Sequence, residues 1–583
     1  MVSPLPVLIE PDVETTMGDG TILRSTVYRP AVDGARYPVL LSRTPYGRDL
    51  AVNSAYLNPA TMAAHGYAVI IQDCRGRYGS DGHFVPSANE ASDGAHSVRW
   101  ASQLEYCDGR VGMFGRSYFS ETQWRAAQTA PTELRALALG ISAGSNANNG
   151  SLYRGGAFEL GSRFGWGHAS ASLNTMVREH AGDHLGLDRE LATWQELDSA
   201  FADGSVFEAL PINSLAAQMN SFMNTHILPS AGDEPGNDFT RLWDTAADKA
   251  VEIPTLHIGG WFDIFCPSTL EQYERQLEAS AGRPELRPRL VLGPWSHTNL
   301  SGTFPDISFG LGASSNEVAG YGDLSAIHRA WFDATLKNEP ESLAKIPEVL
   351  IFFMGENRWR GFEQLPQPTR SRNLYLGADG SLRDTADRVG VVSYTYDPHN
   401  PVPTVGGATM IPGALPAGPA RQNEVEERED VLVFTSDPLE TELTVFGEIT
   451  AQLFASSSAV DTDFVVRLCK VAPDGTSIGL ADGIVRGRWR EACAADGKFT
   501  PGLAPSLLEP GTAYQFSVSL WATACTFEAG ERIRVQVTSS CHPRWDRNLN
   551  TGALAYDSSE TVVAHQQIFT GEQMPSRITL GIL

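Results

Sequence analysis

What most constrains the fold of this chain is a change of rhythm near residue 345. Before it, short apolar runs recur at 38–42 (PVLLS), 67–72 (YAVIIQ), 111–114 (VGMF), 136–141 (ALALGI), 255–258 (TLHI) and 290–292 (LVL). Each suits a strand buried on both faces. Helix-compatible segments such as 93–103 and 121–129 lie between several of them, and strands alternating with helices predict a mainly parallel α/β sheet. A β-rich opening at 21–28 follows the turn Gly18-Asp19-Gly20 and stops at Pro30. The alternation breaks over 146–250, where Gly/Ser-rich turns and amphipathic stretches such as 188–202 predict a helical insertion. From 346 onward the runs at 349–354, 373–376, 431–435, 448–456, 464–470, 513–520 and 533–539 are separated by turn signals alone, the pattern of an all-β sandwich or jelly roll. Residues 377–422, rich in Gly, Pro and Asp, read as a long ordered connection. The expected units are 1–145 and 251–345 for the two parts of the α/β domain, 146–250 for the insertion and 346–583 for the all-β domain.

Length and composition agree with several folded domains. The chain has 583 residues, more than one core organises, and 42% of them are apolar against 19% charged. Its 69 acidic and 44 basic residues leave a formal charge of −25, which repels phosphate backbones and anionic lipid, so nucleic acid and membrane surfaces are not expected partners. No apolar run reaches the roughly 18 residues that span a bilayer. Met1 to Pro6 lack a basic start and an apolar middle, and a cytoplasmic protein is expected. The seven cysteines contain no CxxC pair and read as buried, inert thiols. There is no HExxH and no GxxxxGK[ST], so neither a metal nor a nucleotide cofactor is expected.

The chemistry is carried by Gly115-Arg116-Ser117-Tyr118-Phe119-Ser120, between the run 111–114 and the helical segment 121–129. A tight strand-to-helix turn there presents a serine Oγ at the carboxyl edge of the sheet and leaves the next backbone N–H as an oxyanion donor. Phe119 replaces the last glycine of the general GxSxG pattern, and by itself the motif is better read as an ordinary surface or packing serine. Two later segments add to it. The run 255–258 leads into Gly259-Gly260-Trp261-Phe262-Asp263, and 290–292 leads into Gly293-Pro294-Trp295-Ser296-His297. The order Ser, Asp, His, with each residue past a strand end, is that of an α/β-hydrolase. His297 would be the general base and Asp263 would fix its tautomer; taken singly, a helix N-cap and a loop hydrogen-bonder are the plainer readings. Tyr46, in RTPYGR after the run 38–42, can reach the same site as a phenolic donor, or can simply pack.

With these residues in place the chain resembles the bacterial cocaine esterase family of serine acyl hydrolases, which is related to X-Pro dipeptidyl aminopeptidases. The resemblance runs through 43–48 (RTPYGR), 69–76 (VIIQDCRG), 107–118 (CDGRVGMFGRSY), 260–263 (GWFD) and 291–300 (VLGPWSHTNL), and on through 353–360 (FMGENRWR), 455–464 (ASSSAVDTDF), 480–486 (LADGIVR) and 544–552 (RWDRNLNTG). It implies an α/β-hydrolase domain with an inserted helical cap and a C-terminal all-β jelly-roll domain. It implies Ser117 as nucleophile, Asp263 and His297 as its partners, and Tyr46 with the Tyr118 backbone as oxyanion donors. The elbow departs from the family pattern at Arg116, Phe119 and Ser120, which removes no catalytic group.

The resemblance also points to Phe164, Trp166, Trp261, Phe265, Met410 and Ile411 as substrate-pocket residues. Apolar and aromatic walls suit a small-molecule ester with an apolar or aromatic acyl group. Relatives acting on α-amino acyl substrates need carboxylates for the ammonium group; Glu159, Asp183 and Asp188 are the candidates in the cap. A homodimer is compatible with the resemblance.

Overall fold

The computed structural model describes residues 4–50, 56–143, 152–228, 249–493, 497–500 and 503–583. The apolar runs of the first half become one ten-stranded sheet. Its strands are β1 (Val7–Thr16), β2 (Ile22–Pro30), β3 (Tyr37–Thr44), β4 (Ala68–Asp73), β5 (Cys107–Arg116) and β6 (Leu134–Gly140), then, after a two-stranded hairpin β7 (Tyr153–Arg154) and β8 (Ala157–Phe158), β9 (Thr255–Phe262), β10 (Arg289–Ser296), β11 (Val349–Phe353) and β12 (Arg358–Phe362). The spatial order is β1-β2-β4-β3-β5-β6-β9-β10-β11-β12. From β4 to β11 neighbours run parallel, whereas β1, β2 and β12 are antiparallel additions at the edges. The central strands are Val/Ile/Leu-rich and buried along nearly their whole length, with helices covering both faces.

This sheet continues past the expected border at 345. Residues 349–354, expected to open the all-β domain, instead supply β11, which pairs in parallel with β10 through Leu290 and Val349. Met354 at its end exchanges backbone hydrogen bonds with Ala524 and Thr526 of the C-terminal domain at 3.0 and 2.8 Å. The end of the first sheet is thus hydrogen-bonded directly to the second domain.

Between β6 and β9 the helices Leu160–Trp166, Leu173–Glu179, His184–Ala202 and Ser221–His226 form the cap. They share an apolar cluster of Phe164, Phe201, Phe207, Phe222 and Ile227. Parts of the expected insertion, 146–151 and 229–248, lie outside the described residues.

The C-terminal domain is all-β, with a seven-stranded and a four-stranded antiparallel sheet. Leu443–Ser457 is the axis of the larger sheet and pairs with Tyr514–Phe527, Ala564–Phe569 and Arg577–Ile582. Phe464 of the smaller sheet meets Phe516 of the larger with ring centroids 4.6 Å apart. The expected connection 377–422 is partly strand, since Val391–Tyr396 pairs with Ala564–Phe569 along the sheet edge. All seven cysteines are buried free thiols. Among the described residues no helix is long and apolar enough to cross a membrane, and no cluster of His, Cys, Asp and Glu could hold a metal ion.

Candidate active site

Three strand ends of the first sheet converge on one cavity. β5 ends at Arg116, and Ser117 follows with φ 57° and ψ −125°, after which the helix Tyr118–Gln128 begins. Such a backbone costs about 1–3 kcal/mol and needs support from its surroundings. The Ser117 N–H donates to the Gly140 carbonyl at 2.9 Å, tying the turn to β6. Ser120 is fully buried, its hydroxyl seated between the Gly115 and Gly140 carbonyls at 2.8 and 2.7 Å. Arg116 extends behind the turn, where Nη1 donates to the His297 carbonyl at 3.3 Å and the guanidinium lies 5.7 Å from the Tyr56 ring centroid.

β9 and β10 end side by side, with Phe262 paired to Ser296, so Asp263 and His297 are the first residues past the paired ends. Close approach here requires Gly260, where a Cβ would stand 2.3 Å from the Trp295 carbonyl oxygen. His297 Nδ1 lies 2.8 Å from Asp263 Oδ2, and Nε2 lies 3.0 Å from Ser117 Oγ. A carboxylate only accepts, so Nδ1 carries the proton and Nε2 accepts from the serine hydroxyl. The second Asp263 oxygen accepts from the Phe265 N–H at 2.6 Å, which fixes the fully buried carboxylate in place. Phe265 also sets its ring edge-on to the His297 imidazole, with centroids 5.3 Å apart.

Tyr46 stands on the opposite side of Ser117. Its hydroxyl accepts from Trp166 Nε1 at 2.9 Å, and the phenol shares the cavity with Ser117. An indole N–H can only donate, so the phenolic proton is not spent on Trp166 and can be donated into the cavity. Burial pushes the Tyr46 phenol up to about 12, against the weaker opposing pull of its hydrogen bond from Trp166, so it remains a donor at neutral pH. Tyr118 is the first residue of its helix, and its N–H has no carbonyl one turn earlier to bind. The helix N-terminus adds positive potential at the same place. A hydroxyl on an imidazole with a buried carboxylate behind it, facing a phenol and a free helix-terminal N–H, can perform nucleophilic acyl transfer.

The cavity at Ser117 is lined by Tyr46, Tyr118, Trp166, Ile264, Phe265 and Met410, together with Glu121, Ser162 and Arg163. Of the residues the sequence pointed to, Trp166, Phe265 and Met410 are therefore at the site. Three others are not. Phe164 turns into the cap and stacks on Phe201 at 5.7 Å, since its position on the helix Leu160–Trp166 faces the cap core. Ile411 packs against Gly161 on the far side of that helix. Trp261 points to the domain junction, where Nε1 donates to the Phe352 carbonyl at 2.9 Å. The cap carboxylates are committed elsewhere or face outward: Glu159 accepts from Trp545 Nε1 at 3.0 Å, Asp183 caps the helix His184–Ala202, and Asp188 is exposed. Glu121 and Arg163 were missed, although Glu121 is one helical turn after Ser117 and Arg163 is three residues before Trp166, both on site-facing stripes.

Residues 19–299 match the X-Pro dipeptidyl-peptidase (S15) family, and residues 316–579 match the X-Pro dipeptidyl-peptidase C-terminal non-catalytic domain. Over 98% of both chains, the sequence is 34% identical to the cocaine esterase of Rhodococcus sp. (strain MB1 Bresler). The chain belongs to the cocaine esterase family. Family membership makes it a serine hydrolase, with an α/β-hydrolase domain and an all-β C-terminal domain. The solved structure of an α-amino acid ester hydrolase shares the fold at a TM-score of 0.77 and 23% identity, covering 99% of this chain and 97% of that one. An aminopeptidase from a marine sediment Thaumarchaeota archaeon does so at 0.75 and 22%, with the same coverage. The pocket of this cocaine esterase family member combines aromatic rings with a buried carboxylate and a buried guanidinium.

Proposed function

We propose that this serine hydrolase cleaves a small-molecule carboxylic ester through an acyl-enzyme formed on Ser117. The observation that carries the reading is the chain of contacts from Asp263 Oδ2 through His297 to Ser117 Oγ, at 2.8 and 3.0 Å, at the floor of a cavity walled by aromatic side chains. In the first half-reaction Ser117 Oγ bonds to the ester carbonyl carbon while His297 Nε2 takes the hydroxyl proton. The carbonyl oxygen gains the electron pair and is met by the Tyr46 hydroxyl and the Tyr118 N–H. The pair returns, the C–O bond to the alcohol breaks, and His297 delivers its proton to the departing oxygen. In the second half, water gives a proton to His297 and its oxygen to the acyl carbon; the acid leaves and Ser117 regains its hydroxyl.

Trp166, Phe265 and Met410 support an aromatic or apolar acyl body, because a ring enclosed among them buries area without stranding a charge. Turnover of p-nitrophenyl esters from acetyl to benzoyl, beside aminoacyl and Gly-Pro anilides, tests this. Ester hydrolysis that falls by about 10⁴-fold or more in Ser117→Ala is the expected result. Preference for the anilides, or activity surviving in the variant, would remove the proposal.

A further inference from the structure

The wall of the acyl cavity that faces along the helix from Ser117 is polar. Glu121 lies four residues after Ser117, about 6 Å along the helix axis, roughly the span of a benzoyl ring. Its carboxylate is buried and lines the cavity. Oε1 is occupied, accepting from Ser87 Oγ and, at 3.3 Å, from Arg125 Nη2. Among the described residues no donor reaches Oε2. Ser162, also lining the cavity, accepts the Met410 N–H at 3.2 Å and keeps its own proton to donate. Arg163 completes this wall, its guanidinium 5.2 Å from the Trp166 ring centroid.

Such a wall penalises a wholly apolar acyl group. Filling the cavity with hydrocarbon would strip water from a carboxylate oxygen without replacing the lost hydrogen bond, at a penalty that sites of this kind convert into strong discrimination. The sign of the charges narrows the class further. Arg125 is ion-paired with Glu121 and Arg163 lies close enough to feel its charge, so a cationic ammonium entering there is repelled by guanidinium groups that already compensate this carboxylate. A neutral hydroxyl donor satisfies Glu121 without that repulsion.

Resting on the ester reading above, we propose that Glu121 is a specificity-determining residue that accepts a hydrogen bond from a hydroxyl on the far end of the acyl group, and that the preferred substrates are esters of hydroxyaryl acids. The aromatic body lies against Trp166 and Phe265, and the hydroxyl reaches Oε2. Burial raises the Glu121 carboxyl above its usual range, and a donor placed on it would favour the charged form and draw it down again.

The test compares phenyl 4-hydroxybenzoate with phenyl 4-methoxybenzoate at neutral pH. The two rings donate similarly to the carbonyl and differ in the hydroxyl proton. Wild-type kcat/KM should favour the hydroxy ester by about tenfold or more. In Glu121→Leu the ratio should collapse towards one, and in Glu121→Gln, which keeps an acceptor, it should fall only in part. Ratios are read within each variant, so they do not depend on its absolute rate. If Glu121→Leu fails to fold, the wild-type ratio and the Gln variant decide. A wild-type ratio near one, a ratio unchanged by both substitutions, or a preference for the ammonium-bearing phenyl ester of phenylglycine overturns the proposal. Turnover of phenyl benzoate, lost in Ser117→Ala, reports on the ester reading separately, so either idea can fail alone.

Discussion

A Cβ added to Gly115 would stand 2.5 Å from the Cβ of Phe119, the residue that occupies the last position of the elbow motif. The two positions have exchanged roles in packing. Phe119 is 2% exposed and sets its ring 5.5 Å from that of Tyr46, so the large side chain supports the oxyanion side of the site from below. Gly115, at φ +134°, provides the room. Gly115→Ala is therefore expected to lose about 1–3 kcal/mol from overpacking, with a further penalty for the backbone, and to lower kcat as the turn shifts. Phe119→Gly would restore the general motif, yet it should destabilise the protein by about 3–5 kcal/mol. Thermal unfolding and steady-state turnover of the two variants check both statements. A Phe119→Gly protein as stable as wild type would refute the packing role.

Tyr46 and Trp166 form a relay in which the indole orients the phenol. Removing the hydroxyl in Tyr46→Phe is expected to lower kcat by about 10²–10³-fold with a smaller change in KM, because the lost donor acts mainly on the developing oxyanion. Trp166→Phe leaves the phenol in place without its orienting donor and should reduce kcat less. With the phenol pushed up to about 12 by burial, its ionisation should not shape the pH–rate profile across the neutral and mildly alkaline range. Wild type and Tyr46→Phe should then give profiles of the same shape at different heights. A limb present in wild type and missing from the variant would show the phenol titrating there.

Sequence alone made the central strands legible, because β3, β4 and β6 are short apolar runs buried on both faces. Asp263 and His297 were legible for a related reason: each follows an apolar run by a few residues, and the strands extend until they reach them. The fate of 349–354 was not. A run buried on both faces reads alike in a parallel sheet and in a sandwich, and only the pairing of β11 with β10 decides between them. Trp261, Phe164 and Ile411 were misplaced for want of tertiary facts, since each packs as an aromatic or aliphatic side chain should, against a different neighbour from the one expected. Glu121 could have been found by counting one turn from Ser117.

Of the buried histidines outside the site, His257, His328 and His542 are pushed furthest from their usual range and held neutral. Burial lowers His257 to about 3, His328 to about 4 and His542 to about 3, the last also through the neighbouring Arg547. In the unfolded chain each titrates near 6.5, so below that pH the unfolded state binds more protons than the folded one. Their contribution is complete above pH 6.5 and is lost progressively as pH falls towards 3–4. By pH 5 each should have lost roughly 1–2 kcal/mol. Tm measured against pH should decline through this window, and His257→Gln with His328→Gln should flatten the decline. An unchanged slope in the double variant would assign the acid sensitivity to other groups.

Asp546 ties the cap to the C-terminal domain. Its Oδ1 accepts the Phe158 N–H at 2.7 Å, and its two carboxylate oxygens accept from Arg486 at 2.9 and 3.0 Å, while Asp463 holds the other side of the same guanidinium. Phe158 ends the hairpin that leads into the helix Leu160–Trp166, and this helix presents Ser162, Arg163 and Trp166 to the cavity. Asp546→Ala leaves a buried guanidinium half-compensated and a strand N–H without its acceptor, and should cost about 3–5 kcal/mol. Asp546→Asn keeps an acceptor for Phe158 and should cost less. Since the helix start is held from the C-terminal domain, both variants should raise KM for aromatic esters more than they lower kcat, in proportion to the stability lost. Urea unfolding beside steady-state kinetics measures the two together. Full destabilisation with an unaltered KM would mean that the helix is held by its cap contacts alone.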